Sequence, residues 1–266
     1  MPKPVIDGFE FAYSDSKVSQ CTAHCVPFYE VYFLTSGTSN YFINDCLYPC
    51  TSGTLVIVPP DILHWNHYTS DKYTRYVLNF PSSYITDELR NTINPDNTPE
   101  ILYIPDTTPI LSIFKKMWRE WDIRDEYSPS VIRGLVNEFF VHIARHKGTY
   151  LKRNIDTVHP TVNKITQYIS ENYHEPLTLE LIADKFRLNP NYLSTLFKSC
   201  MGFGLKKYIT IIRIERAREM LLNSDLSVSQ IAFKCGFNDS NYFSQVFRST
   251  VNDTQLHFRN THLNSN

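Results

Sequence analysis

A chain of 266 residues, 42% hydrophobic and 14% aromatic, is globular rather than disordered and long enough for two domains with separate cores. The net charge of −1 excludes a strongly basic or acidic protein, yet residues 160–266 carry 12 Lys/Arg against 9 Asp/Glu, which makes the C-terminal part the better nucleic-acid partner. No apolar run approaches the length that crosses a bilayer, and the start, MPKPVIDGFEF, has neither the basic nor the apolar segment of a leader, so a cytoplasmic protein with no membrane partner is expected.

Short strand-like runs occupy 30–35, 40–43, 54–58 and 75–80. They are separated by turn chemistry at Ser36 and Gly37, at Asn44 and Asp45, and at Pro59, Pro60 and Asp61. Strands of this length with such turns predict a sandwich or small barrel. Residues 91–109, rich in Asn, Asp, Thr and Pro, are expected to be loop. Two cysteine pairs, Cys21/Cys25 and Cys46/Cys50, have i, i+4 spacing. On a strand that separates them by about 13 Å, too far for one metal ion, and neither is Cys-x2-Cys. These residues, with Cys200 and Cys235, are expected to be mostly reduced core.

Two helices are predicted next, at 109–124 and 129–146. In the second, Ile132, Leu135, Val136, Phe139, Phe140 and Ile143 recur at helical spacing as a wide apolar face. A partner protomer is expected to use Leu135, Phe139 and Ile143, which makes the protein a homodimer. Residues 147–158 are polar and without period, which divides the chain into a first domain at 1–147, a linker at 148–158 and a second domain at 159–266.

A helix at 160–173 opens the second domain, and one at 205–222 organises it. In the latter, Leu205, Tyr208, Ile209 and Ile212 share one face, while Ile214, Ala217 and Leu221 share a roughly opposite one; Ile211, Met220 and Leu222 fit neither. A repeat brackets this helix: YLSTLFKS at 192–199 returns as YFSQVFRS at 242–249, fifty residues on. Before each copy lies a short amphipathic helix, at 179–186 and 228–235, and a turn ending in Asn189 or Asn238. Each unit reads helix, turn, helix, and the long helix has a face for each.

These features resemble the AraC family of bacterial transcription regulators. The matching residues are 179–183, 192–198, Gly202, Tyr208, the RIERAREMLL run at 213–222, Ile231, Ala232, Gly236, Phe237, Tyr242, Phe243, Phe247, Arg248, Phe258 and Arg259. Three departures stand out: Arg187 where the first turn usually has Gly, Asn252 for a helix-ending Gly, and Gln255 for a common Pro. Asn tolerates the left-handed conformation. The resemblance implies an all-α C-terminal domain with two helix-turn-helix units joined by a long helix. It also implies an all-β, cupin-like N-terminal barrel with two following helices. The barrel is matched by Glu30-x6-Gly37 and Gly53-x5-Pro59-x4-His64.

From that barrel the resemblance implies an effector pocket at His24, Glu30, Tyr41, His64 and Tyr76, for a small molecule such as a sugar. Tyr29, Trp65 and Tyr68 are further candidates for stacking on it. Metal-binding cupins have His-x-His before the Glu; here the second position is Val26, which leaves His24, Glu30 and His64 as three ligands that could still hold a metal at an open site, but no metal and no cofactor is expected. In the recognition helices Asn191, Ser194, Thr195, Ser240, Asn241, Ser244 and Gln245 are expected to face DNA bases, with Leu193, Leu196, Phe197, Phe243, Val246 and Phe247 inward. Asn and Gln pair bidentately with adenine, and the absence of Arg at these positions predicts sites leaning to A and T. Lys198, Arg248 and Arg187 are the expected phosphate contacts. The function expected is a ligand-sensing regulator of double-stranded DNA, contacting RNA polymerase if it activates, and not an enzyme. The competing reading is a metal-dependent cupin enzyme with an ancillary DNA-binding module.

Overall fold

The chain forms two compact units, residues 1–158 and 159–266. In this computed structural model the described residues are 8–15, 23–43, 45–93, 98–150, 159–251 and 253–263. Cys21 and Asn252 fall outside them. So does 151–158, most of the expected linker.

The first unit contains two antiparallel sheets. One runs in the order β1 (Glu10–Ser14), β7 (Thr74–Phe80), β2 (Tyr29–Ser36), β5 (Thr54–Val58), β8 (Glu100–Tyr103). The other is β4 (Cys46–Thr51), β3 (Thr38–Ile43), β6 (His64–Tyr68). The four strands read from sequence are the central ones. β8 corrects the expectation of a loop at 91–109: four residues on a sheet edge, paired only with β5, lack the alternation that marks a longer strand. Pro49 sits on edge strand β4, where a missing N–H costs little.

β2 is buried on both faces. Val31 and Phe33 join a core with Phe80, Phe114 and Phe139, whereas Tyr32 and Leu34 join a second core with Tyr41, Ile43, Val56 and Val58. Period 2 therefore puts Glu30 on the face of Tyr32 and Leu34.

The first core is closed by α2 (Thr108–Ile123) and α3 (Ser128–His146), after a short α1 (Asp87–Ile93). Here the expected dimer contact at Leu135, Phe139 and Ile143 is corrected. Leu135 is 8% exposed and Phe139 and Ile143 are fully buried, all three within this core, so they seal the unit and offer no surface. A wide apolar stripe on a helix beside a sheet is consumed by the sheet. Phe139 meets Phe114 at 5.5 Å between ring centroids. Tyr150, past the predicted boundary at 147, packs into the same core and bonds His142 Nε2 through its hydroxyl at 2.8 Å.

The second unit is helical: α4 (Pro160–Asn172), α5 (Leu179–Lys185), α6 (Pro190–Met201), α7 (Leu205–Asn223), α8 (Val228–Lys234), α9 (Ser240–Val251) and α10 (Gln255–Leu263). Along α7, Ile214, Ala217 and Leu221 pack with Ile231, Ala232, Phe243, Phe247 and Phe258, with Met220 and Leu222 at the margin. Tyr208, in its first half, packs edge-on against Phe197 of α6. One helix thus serves as a wall of both modules.

The repeat extends further than the two copied segments. Arg213 of α7 donates to the carbonyls of Tyr173 (2.8 Å) and Glu175 (2.7 Å) just past α4. Arg259 of α10 donates likewise to Leu221 (3.0 Å) at the end of α7 and to Leu226 (2.7 Å) beyond it. In each half a last-helix guanidinium bridges carbonyls at and just beyond the end of an earlier helix. Cys50, Cys200 and Cys235 are buried thiols outside any disulfide, and burial raises Cys235 to about 12. Among the described residues no helix is long and apolar enough to cross a membrane.

Candidate nucleic-acid interface and ligand cavity

Both recognition helices, α6 and α9, begin at side-chain caps. Asn189 Oδ1 accepts from the backbone N–H of Asn191 (2.9 Å) and Tyr192 (3.3 Å), and Asp239 Oδ1 from Asn241 (2.6 Å) and Tyr242 (3.0 Å). The second turn was expected to end in Asn238; the cap is one residue later because that turn is one residue longer. The supporting helices are capped too, α5 by Thr178 and α8 by a Ser227/Gln230 capping box.

The amphipathic split expected of a recognition helix is present in both copies. In α6, Asn191, Ser194, Thr195 and Lys198 are exposed, Leu193 and Phe197 are buried, and Leu196 is half-buried. In α9, Asn241, Gln245 and Arg248 are exposed, Ser240 and Ser244 half-buried, and Phe243 and Phe247 buried, with Val246 half-buried. Arg187 is exposed in the first turn. Tyr192 and Tyr242, 53% and 50% exposed at matching positions, were not singled out as contacts. Their recurrence at the head of each copy was the available signal, since a large ring that recurs outside the core has a surface use.

A groove of about 630 Å³ runs between the modules over α7. It is lined by Thr178 and Ser194 from the first module, Lys206 and Thr210 from α7, and Asn238 and Tyr242 from the second. Residues of α6 and α9 therefore share one concave face. Its lining carries amide, hydroxyl and phenol groups, and Lys198 and Arg248 lie further along the two helices.

In the first unit, a cavity of about 430 Å³ is lined by His24, Glu30, Tyr41, His64, Arg75 and Asn79, among others. Tyr41 donates to Glu30 Oε1 at 3.0 Å, and His24 Nε2 is 3.2 Å from Oε2. Burial alone would raise the Glu30 carboxyl, but its interactions with the flanking His64 and His24 rings outweigh it and hold the group well below the usual carboxylate range. Four of the five expected pocket residues converge. Tyr76 does not: on β7 it alternates with Arg75 and Val77, so its ring faces the opposite core, against Phe11 and Phe114. The same alternation brings in Arg75 and Asn79, which sequence reasoning missed. Trp65 lines the cavity while stacking on Phe42 at 3.9 Å, Tyr68 stacks on Tyr73 at 3.5 Å, and Tyr29 stacks on Phe80.

Residues 4–135 match the family described as the AraC-like ligand binding domain, and residues 182–261 match a helix-turn-helix domain. The chain belongs to the AraC family of transcription regulators. Among its relatives, the HTH-type transcriptional regulator YijO of Escherichia coli K12 is 40% identical over 95 residues, 36% of this chain and 34% of that protein. YfiF, an HTH-type transcriptional regulator of Bacillus subtilis 168, is 24% identical over 261 residues, 91% of this chain and 80% of that protein. RhaS of Citrobacter koseri, an HTH-type transcriptional activator, is 38% identical over 87 residues, 33% of this chain and 31% of RhaS. The chain thus spans about a third of YijO and of RhaS, and most of YfiF. This AraC-family protein combines a region matching the AraC-like ligand binding domain with one matching a helix-turn-helix domain.

Proposed function

We propose that the protein is a cytoplasmic, ligand-responsive transcription regulator that reads DNA through α6 and α9 and performs no turnover. The observation that supports this most is the pair of recognition helices on one groove, with Asn, Ser, Thr and Gln on the outer face and Phe on the inner face of both. Held by α7, the two helices would enter successive major grooves about 34 Å apart on one side of the duplex. The base-facing set is Asn191, Ser194, Thr195, Ser240, Asn241, Ser244 and Gln245; Lys198, Arg248 and Arg187 neutralise phosphates.

The effector binds in the first unit's cavity, between the Glu30 cluster and the Arg75 and Asn79 side of β7. Its polar lining suits a hydrophilic small molecule. The protein acts as a homodimer through a surface other than Leu135, Phe139 and Ile143. The likeness to RhaS, named as an activator, supports contact with RNA polymerase.

The test is retention of DNA fragments from the regions flanking its own gene by the full-length protein, against excess random-sequence DNA. A specific fragment held at least about a thousandfold more tightly than random DNA is expected. Equal retention of all fragments overturns the reading.

A further inference from the structure

We infer that His24, Glu30 and His64 form a three-ligand site for a divalent transition-metal ion, open toward the cavity of the first unit. Their donor atoms all lie within 4.8 Å of one another, the one cluster of three such residues among those described. His24 and Glu30 approach at 3.2 Å, as do His64 and Glu30. Ligands held at 2.0–2.2 Å around one tetrahedral ion lie about 3.4 Å apart, close to these two separations, in which His24 faces Oε2 and His64 faces Oε1 of Glu30.

The decisive group is His64. Its Nδ1 lies 2.8 Å from the carbonyl oxygen of Ile62, which only accepts, so the proton is on Nδ1. Nε2 is then a lone pair in a side chain 1% exposed, and it has no hydrogen-bond partner. Glu30 Oε1 lies 3.2 Å from it without closing a hydrogen bond. Two acceptors facing one another in a dry site repel, and a cation between them removes the conflict. The Ile62 carbonyl does for His64 what an outer partner does for a metal-bound imidazole, fixing its tautomer and orientation. Tyr41 steadies Glu30 in the same manner.

The backbone supports this arrangement. His24 and His64 are joined as a two-way bridge, N to O at 3.1 and 3.0 Å, so segments forty residues apart present both rings to one point. Two imidazoles and a carboxylate suit zinc or another first-row divalent ion and leave a coordination position free. On the open side Arg75 Nε and Asn79 Oδ1 are likewise buried without partners. The expectation of no metal counted Val26 as a lost ligand, but three convergent donors suffice for an open site.

The experiment uses full-length protein stripped by chelator and dialysed, titrated calorimetrically with Zn²⁺ and spectroscopically with Co²⁺. One ion per chain is expected, with Co²⁺ absorption bands of nitrogen and oxygen ligation. His24→Ala, at a side chain 40% exposed, should fold normally by circular dichroism and bind at least tenfold more weakly. His64→Gln and Glu30→Gln should weaken binding further, and His257→Ala, in the second unit, should leave it unchanged. Failure to bind a stoichiometric ion overturns the site, as does a folded His24→Ala that binds like the parent. DNA retention by the same preparations separates the two proposals: zinc binding without specific retention removes the regulator reading alone, and the converse removes the metal alone.

Discussion

Arg187 and Gly236 hold the same place in the two helix-turn-helix turns, and both backbones are left-handed, with φ of 54° and 81°. Only the second has the residue suited to it. A Cβ at Gly236 would stand 2.8 Å from the carbonyl oxygen of His174 and 2.9 Å from that of Tyr173, so glycine is required there by contact as well as by φ. Arg187 bears a steric cost of about 1–2 kcal/mol.

Replacing Arg187 by Gly should relieve that cost, less the roughly 0.4–1 kcal/mol of added freedom in the unfolded chain, for a small net gain in thermal midpoint. Specific DNA binding should nevertheless weaken, and its salt dependence should flatten by about one phosphate contact. Gly236→Ala should lower the midpoint. Calorimetric scans of full-length protein check both signs, and a lower midpoint for Arg187→Gly would show that arginine's side chain holds the turn.

Asn241→Ala and Gln245→Ala should each cost about 1–3 kcal/mol at one base position and relax specificity there. Lys198→Ala and Arg248→Ala should weaken binding to every sequence and reduce the salt slope by about one each. Titrations across salt concentrations and base-substituted sites distinguish them; uniform behaviour of all four would refute the division of roles.

Arg259→Ala strips the bonds to the carbonyls of Leu221 and Leu226. Two such charged bonds are worth about 1.5–3 kcal/mol each in favourable cases, so a clear loss of stability is expected. Arg259→Lys should recover little of it, because one ammonium cannot reproduce the guanidinium fork. Chemical denaturation of the three proteins measures this. Full rescue by Lys would mean that charge, not geometry, is what matters.

Leu135→Asp should unfold the first unit instead of yielding a folded monomer, since the side chain lies in the core. Phe139→Ala should cost about 3–5 kcal/mol. Circular dichroism and sedimentation of the same samples give the answer: a folded, monomeric Leu135→Asp protein would restore these residues to a dimer interface.

Much of the second unit was legible in the chain because its information is local. The copies at 192–199 and 242–249, the turn ending at Asn189 and the two apolar faces of α7 all lie within a few helical turns, where period 3.6 and turn chemistry are decided. The central strands of the first unit were legible for the same reason, through alternation and turn residues.

What only the tertiary structure decided are relations between distant segments. That His24 meets His64 depends on a bridge across forty residues, and that Arg75 and Asn79 face the cavity while Tyr76 turns away depends on which face of β7 is turned inward. A polar alternation looks the same whether it lines a cavity or faces water. The apolar stripe of α3 likewise states that Leu135, Phe139 and Ile143 must be covered, but not by what. Period reveals which residues share a face; only sheet register and packing assign that face a neighbour.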